Sequence, residues 1–468
     1  MKQNLIGLLA LLWIPLAQGF AQEKIPTISG EVEISVINGT FECDLTWTDI
    51  PRIKDYFIRL NSGMNILHMR SKKPNDFLVN YSKSFADSLS TGESNAYYFK
   101  DSTGKGKFLP ESIQFKYVGK YPVASDTLEN YSRKDWKGNI AFNGMSVRSD
   151  GRQSAWYPVF YDIENDIVWE KVKYDIEITC SDCSTLYLNG SKPVKDQTHR
   201  FTSDIPQELT IFCGNYDFAA LEGTYFLNSG LEKSELETFG ALINTYKKYY
   251  AQNLNVPFGQ AVSFVQTTPT SKKDAWMFVS YPTIMSIGWQ NGLKNIVEPQ
   301  YAKFYQPFIA HELGHYYFGT YKVFNSVLGD LLNESFPEFL SLQITKEFIG
   351  KDIFNEQLER KLKQLEGFEA MPFAKIKKES EYGNRQLYVY NFGPLIFLAI
   401  EREIGEEMMW QWLHKVLKTQ SKYTDYAFLC STLQATLNDK AKFESIKETY
   451  FTSDHALENA IKKLKQNR

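Results

Sequence analysis

The segment His311-Glu312-Leu313-Gly314-His315 places two imidazoles four residues apart with a carboxylate between them. On a helix, side chains at i and i+4 leave the same face about one turn apart. His311 and His315 can therefore hold one ion together, while Glu312 points toward the same cleft and can take a proton from a water held there. Zinc suits such a site, because neutral imidazole and carboxylate are its ligands and a catalytic zinc takes three protein ligands with one position open. The two histidines supply two ligands, and Glu334 is the candidate third. Eighteen residues, 316 to 333, separate it from His315, a distance at which a carboxylate can sit on the next, antiparallel helix and face the histidines. Taken singly, Glu334 has an ordinary explanation as a solvated helix residue and the histidines as a packed pair. Their joint occurrence favours one metal ion, Zn2+, held by His311, His315 and Glu334.

The elements that must position these residues follow from periodicity. Pro307 suits the first helical turn of the metal segment, Gly319 can end that helix, and Leu331 begins another that runs to Phe348. Upstream, Leu236, Phe239, Leu242, Ile243 and Tyr246 recur at helical spacing between Leu231 and Asn253, followed by strands at Gln260 to Gln266 and Ala275 to Ser280. From about residue 26 to 216 the pattern is different: short alternating runs such as Glu31 to Val36, Val168 to Thr179 and Glu208 to Phe212, with Asn189-Gly190 as a hairpin-type turn. The expected organisation is α+β: an all-β domain over 22–218 with little that looks catalytic, then a mainly helical domain with a small sheet over 219–468. The 468 residues suit two domains.

Residues 1–21 read as a secretory signal. Lys2 is the positive start, Leu5 to Leu16 the apolar run, and Gly19 and Ala21 the small residues of a cleavage site before Gln22. The protein is expected to be secreted or periplasmic, with no transmembrane segment, since no later apolar stretch approaches the length of a span. A net charge of −3 without a long single-sign run lacks the electrostatic footprint of a nucleic-acid binder. Five cysteines are too few and too odd for a disulfide framework. Cys180 and Cys183 have the spacing of a redox or zinc pair, but with no second pair nearby a local disulfide or two buried thiols is the plainer reading. His68, His199, His414 and His455 share no ligand spacing, and the lysines of 375–378 and 462–465 read as solvated helix faces.

The metal motif, the eighteen-residue gap and Asn333-Glu334-Ser335-Phe336 resemble the zinc signature of the aminopeptidase-N-type family of gluzincin metallopeptidases, whose counterpart usually reads Asn-Glu-Gly-Phe. Val389-Tyr390-Asn391-Phe392-Gly393, the apolar stretch Leu395 to Ile400 and Ile404-Gly405-Glu406 match a second pattern of that family. The resemblance covers roughly residues 225 to 420; in the β region only the architecture and Trp156-Tyr157-Pro158 correspond. It implies a β saddle or sandwich followed by a thermolysin-like catalytic domain acting on a peptide or protein substrate. Glu312 would be the general base, and Tyr390 would donate a hydrogen bond to the developing oxyanion. Tyr388 and Tyr382 compete for the tyrosine role, but only Tyr390 has the glycine three residues on. Asp330 or Glu338 could orient a ligand histidine, or be a cap or an exposed charge.

Two departures bear on the substrate. Family aminopeptidases usually carry Gly-x-Met-Glu-(Asn or Tyr) on the edge strand of the cleft, whose glutamate binds the free α-amine. Here the corresponding stretch is Met277 to Pro282, with Ser280 at the glutamate's place. A neutral hydroxyl is no counter-ion for ammonium. The sequence also stops at Arg468, short of the long helical domain that roofs the cleft in many family members, so a more open cleft is expected. Both features point toward longer or internal peptides. The alternatives are an aminopeptidase whose amine site is rebuilt from other residues, and a zinc-retaining peptide-binding protein without turnover.

Overall fold

A computed structural model of the protein describes residues 25–71, 77–80, 94–100, 102–123, 140–149, 151–164, 167–267, 276–287 and 292–466. The signal expected at 1–21 lies outside them. Among the described residues, no helix is long and apolar enough to cross a membrane.

Alternating side chains build the β-rich region. Along Val172–Cys180 every second residue is buried, the period of a strand with one face on a core. Six strands form the largest sheet, in the order Thr198–Gln207, Val172–Cys180, Thr27–Ser35, Thr40–Thr48, Ile113–Lys120 and Met64–Ser71. A second sheet runs Ile167–Trp169, Val159–Asp162, Tyr56–Asn61, Ser94–Lys100 and Phe77–Asn80, and Ile211–Gly214 joins Ser146–Ser149 and Ile140–Phe142 in a third. Trp47, Tyr117, Trp156 and Phe160 are fully enclosed in their shared core. Cys180 and Cys183 are bonded to each other, and Cys43 and Cys213 are buried free thiols.

Two expectations are corrected here. The run from Val168 to Thr179 is not one strand: it stops at Trp169 and restarts at Val172, because Glu170 and Lys171 carry the chain from the second sheet to the first. Glu208 likewise lies outside its expected strand, which begins at Ile211. Asn189-Gly190 does form a tight turn, with Ser191 N donating to Leu188 O at 3.0 Å and Gly190 at φ +78°.

The remainder of the chain matches the α+β expectation. A five-stranded sheet has the order Phe218–Leu221, Thr224–Leu227, Val262–Thr267, Thr283–Ile287 and Trp276–Ser280, so the strand ending in Ser280 is an edge. Helices follow, among them Lys233–Leu254, Ala302–Gly314, Gly329–Ile344 and Gly393–Ile404. The metal-motif helix starts five residues earlier than expected, which places Pro307 inside it. Proline removes a backbone N–H and disfavours a helix interior. Here the carbonyl deprived of that partner belongs to Lys303, which is exposed, and Pro307 O instead accepts the Ser341 hydroxyl at 2.6 Å. The helix also ends before Gly319: Gly314 is its last residue and His315 its cap.

Candidate metal centre and active site

The helix Ala302–Gly314 packs against Gly329–Ile344 at a glycine. A Cβ on Gly314 would stand 2.9 Å from Pro337 Cα, closer than side-chain carbons approach, so the small residue lets the two backbones touch. This contact brings Glu334 onto the histidines. His311 Nε2 lies 3.4 Å and His315 Nε2 3.5 Å from the same atom, Glu334 Oε2. The ligating atoms of all three residues fall within 4.8 Å of one another.

The donor set fits zinc. Glu334 Oε2 is buried and has no hydrogen-bond partner, a state that is expensive for a carboxylate oxygen unless a cation satisfies it. The outward ring nitrogens are already engaged: His311 Nδ1 is 2.8 Å from Glu338 Oε2 and His315 Nδ1 is 3.3 Å from Phe318 O. Both rings are thereby turned so that Nε2 faces the ion position, as histidine ligands require.

Glu338 is thus the residue that orients His311, and it is itself anchored. Lys361, almost fully enclosed, donates from Nζ to Glu338 Oε1 at 2.5 Å and to Tyr390 O at 2.7 Å. Burial alone would raise the Glu338 carboxyl; Lys361 and His311 outweigh it and hold it at about 2. Asp330 takes a different part from the one considered for it. It forms a two-point pair with Arg385, at 2.5 and 2.7 Å, and Arg385 reaches Glu334 Oε1 at 3.4 Å. Arg385 therefore occupies one oxygen of Glu334 and leaves the other for the metal. Neither Lys361 nor Arg385 carries a spacing signal in the sequence.

Tyr390 is placed by a local defect in a helix. Between Arg385–Leu387 and Gly393–Ile404 the chain makes a π-helical turn, Tyr388–Phe392, a wider turn often found at functional sites. Two carbonyls of this turn are captured from outside: Ser335 Oγ donates to Val389 O at 2.6 Å, and Lys361 donates to Tyr390 O. Gly393 is required by the approach of the facing helix, since a Cβ there would lie 2.2 Å from Ser335 Oγ. The Tyr390 ring sits 5.7 Å from the His311 ring and lines the cavity of the metal residues. Burial, and then the Glu334 charge, raise its hydroxyl well above the ordinary tyrosine range, so it is a neutral donor. Tyr388 and Tyr382 are not available for that role: their rings stack on each other and their hydroxyls are bonded to Met371 O and Val327 O.

Glu312 lies in the same cavity, with Oε2 3.9 Å from His315 Nε2. Burial raises its carboxyl while the two histidines pull the other way, and the net shift is upward, the direction a general base near neutrality needs. The edge strand contributes Val279, Ser280 and, just beyond it, Tyr281 to the cavity wall. The β-rich region, expected to hold little that looks catalytic, contributes Glu170, Lys171 and Glu208 to the cavity wall. Their signal was masked because each sits where a strand was expected and alternation hides which residue leaves the sheet. Of the other histidines, His414 bonds Leu254 O at 2.8 Å and His455 is exposed; none joins a metal group among the described residues.

No protein-family model matches this chain, and no curated protein matches it. Solved structures do. The chain is similar to native yeast LTA4 hydrolase at 11% identity and a TM-score of 0.62, covering 92% of this chain and 67% of that one. It is similar to a mutant M1 zinc metallopeptidase from Deinococcus radiodurans bound to a Tyr-Ser-Ala substrate at 13% identity and a TM-score of 0.60, covering 91% and 93%. A mutant of a two-domain M1 zinc metallopeptidase bound to L-arginine gives 13% and 0.60, covering 92% and 94%. The shared property is the fold: a sheet-rich N-terminal region followed by a helical C-terminal region in the two-domain architecture of the M1 peptidases.

Proposed function

We propose that this protein is a zinc metallopeptidase that hydrolyses peptide bonds with a water molecule as nucleophile and without a covalent intermediate. The observation that carries the reading is the convergence of His311, His315 and Glu334 ligand atoms within 4.8 Å in one cavity with Glu312 and Tyr390. Solved neighbours that are zinc metallopeptidases support it. The ion, when bound, supplies Lewis acidity to a water and to the peptide carbonyl.

The chain's own groups do the rest. Glu312 takes a proton from the attacking water as the new C–O bond forms. The Tyr390 hydroxyl donates to the carbonyl oxygen as it gains charge. When the C–N bond breaks, Glu312 returns the proton to the leaving nitrogen, which departs as a neutral amine. Arg385 and Glu338 keep Glu334 and His311 turned toward the ion. The substrate is a peptide or protein, and the signal pattern at residues 1–21 supports a reaction outside the cytoplasm, in a periplasm or the extracellular space.

Metal analysis combined with turnover of a mixed peptide library tests the assignment. The protein is expected to hold one zinc, and Glu312→Gln to retain that zinc while losing cleavage by two orders of magnitude or more, the upper scale of a general-base contribution being about 10²- to 10⁴-fold. Equal cleavage by wild type and Glu312→Gln would overturn it.

A further inference from the structure

The metal chemistry leaves one acidic group in the cavity without a task. Glu208 lines it together with Glu170, Ser280 and Tyr281. Its Oε1 accepts from Arg152 N at 2.5 Å and its Oε2 from Ser280 Oγ at 2.9 Å. The direction of the second bond is set by the neighbours of Ser280: Thr210 Oγ1 donates to the Ser280 oxygen at 2.5 Å and Asn189 Nδ2 lies 3.4 Å away. The serine proton is therefore left for Glu208.

Both partners of Glu208 are donors, so the surroundings are built for a carboxylate, yet no side-chain cation among the described residues pairs with it. Buried Arg59 acts on Glu170 and donates from Nε to Ser94 Oγ at 2.9 Å, and the other two nearby cations are bonded elsewhere. Arg152 Nη1 pairs with Glu170 at 2.6 Å, and Lys171 Nζ donates to Gly319 O at 2.9 Å. With burial dominating, the Glu208 carboxyl is pushed up to about 8. The Arg152 charge reaches Glu208, but no side-chain cation is bonded to it, so this half-buried carboxyl with donors on both oxygens can take a positive charge from the cavity. Independently, the Tyr281 hydroxyl on the same wall is buried and has no hydrogen-bond partner.

The group is also held in place. Trp156 Nε1 donates to Leu209 O at 2.6 Å and the Tyr157 hydroxyl to Glu170 O at 3.0 Å, which ties both acidic residues to the β core. Gly151, at φ +66°, makes room for the side chain, since a Cβ there would lie 2.6 Å from Glu208 Cγ.

We propose that Glu208, held by Ser280 and flanked by Glu170 and Tyr281, is a subsite for a primary ammonium group of the peptide substrate. Ammonium presents three N–H donors, matching the acceptors that Glu208, Glu170 and the Tyr281 oxygen offer. Ser280 serves as the donor that orients the carboxylate, which is delivered from the β-rich region rather than from the edge strand. The source of the ammonium is either the α-amine of the first residue or a lysine side chain. This inference rests on the zinc-peptidase reading for its assay.

Three versions of one peptide decide it: free α-amine without lysine, N-acetylated without lysine, and N-acetylated with one internal lysine. Zinc-loaded wild type is expected to prefer an amine-bearing version over the acetylated lysine-free one on the order of 10- to 100-fold in kcat/KM, the scale of a hydrogen bond to a charged group, chiefly through KM. Which version is preferred, and whether the cut lies near the amino terminus or at a set distance from lysine, names the source. Glu208→Gln is expected to bring that ratio to within a few-fold of one, and Ser280→Ala to reduce it several-fold. Equal cleavage of all three versions by wild type, or an undiminished preference in Glu208→Gln of wild-type thermal stability, would overturn the subsite. If wild type cuts none of them, the peptidase reading fails, and calorimetry on the zinc-loaded protein takes over. Tighter binding of an amine-bearing peptide to wild type but not to Ser280→Ala or Glu208→Gln then supports the subsite, and equal binding overturns it.

Discussion

At the scale of single residues, the site is a set of side chains each held by a partner that the reaction does not consume. Tyr390 is kept protonated by burial and by Glu334, so its hydroxyl keeps a proton to donate. Tyr390→Phe is expected to lower kcat/KM on the order of 100- to 1000-fold, the usual effect of removing one oxyanion donor, with zinc content unchanged by metal analysis. Of the three ligand residues, Glu338 is bonded to His311, through a 2.8 Å contact. Glu338→Gln keeps the shape but loses the charge, and zinc affinity measured against a competing chelator is expected to fall on the order of 10- to 100-fold. His311, His315, Glu312 and Glu334 were legible as residues because an i, i+4 pair and a carboxylate at helical-hairpin distance form a pattern along the chain. Lys361 and Arg385 were not, because a lone basic residue on a helix looks the same whether it faces solvent or a buried carboxylate.

At the scale of elements, two glycines set the distances between the helices that carry the chemistry. Gly314 lets the metal helix touch Pro337, and Gly393 lets the tyrosine helix touch Ser335. Gly393→Ala would press a methyl group onto the serine hydroxyl. It is expected to destabilise the protein by about 1–3 kcal/mol, as overpacking does, and to lower activity while zinc stays bound. Adding Ser335→Gly removes the serine atoms in the way but also the bond to Val389 O, and Leu331 Cδ1 still lies 2.8 Å from the new methyl, so only part of the thermal midpoint is expected to return; a double variant whose loss equals the sum of the two single losses would show that the contact is not the cause. The helix boundaries themselves were only partly legible. Pro307 looks like a helix start because proline is favoured in first turns, but Lys303 at the exposed end tolerates the missing bond and the helix begins earlier, at Ala302.

At the scale of the whole molecule, the junction between the β-rich and helical regions is part of the cavity. Asn189 Nδ2 reaches Glu208 O at 2.9 Å, Ser280 O at 3.0 Å and Tyr281 O at 3.1 Å, and Glu208 itself sits on this seam. Its raised carboxyl makes the junction sensitive to pH. In the folded protein the group keeps its proton up to about 8, whereas an unfolded chain releases it near the ordinary glutamate value of 4.5. The folded state therefore binds more protons over that interval, and the stability from the neutral carboxyl is present below it and lost as pH rises through about 8. Thermal midpoints of wild type should decline relative to Glu208→Gln between about pH 4.5 and 8 and level off above that. Parallel curves for the two would contradict a folded-state shift at this residue.

The sequence alone determined the local chemistry: which residues could bind zinc, that helices carry them, and that alternating strands precede them. These are properties of spacing, and spacing survives in one dimension. Only the tertiary structure decided what surrounds that chemistry. Ser280 on the edge strand implied a missing counter-ion for an amine, while in space it hands its proton to Glu208 from a different sheet region, 72 residues away. A carboxylate's role depends on which charges and donors lie within a few ångströms of it, and at that separation along the chain only folding brings them together.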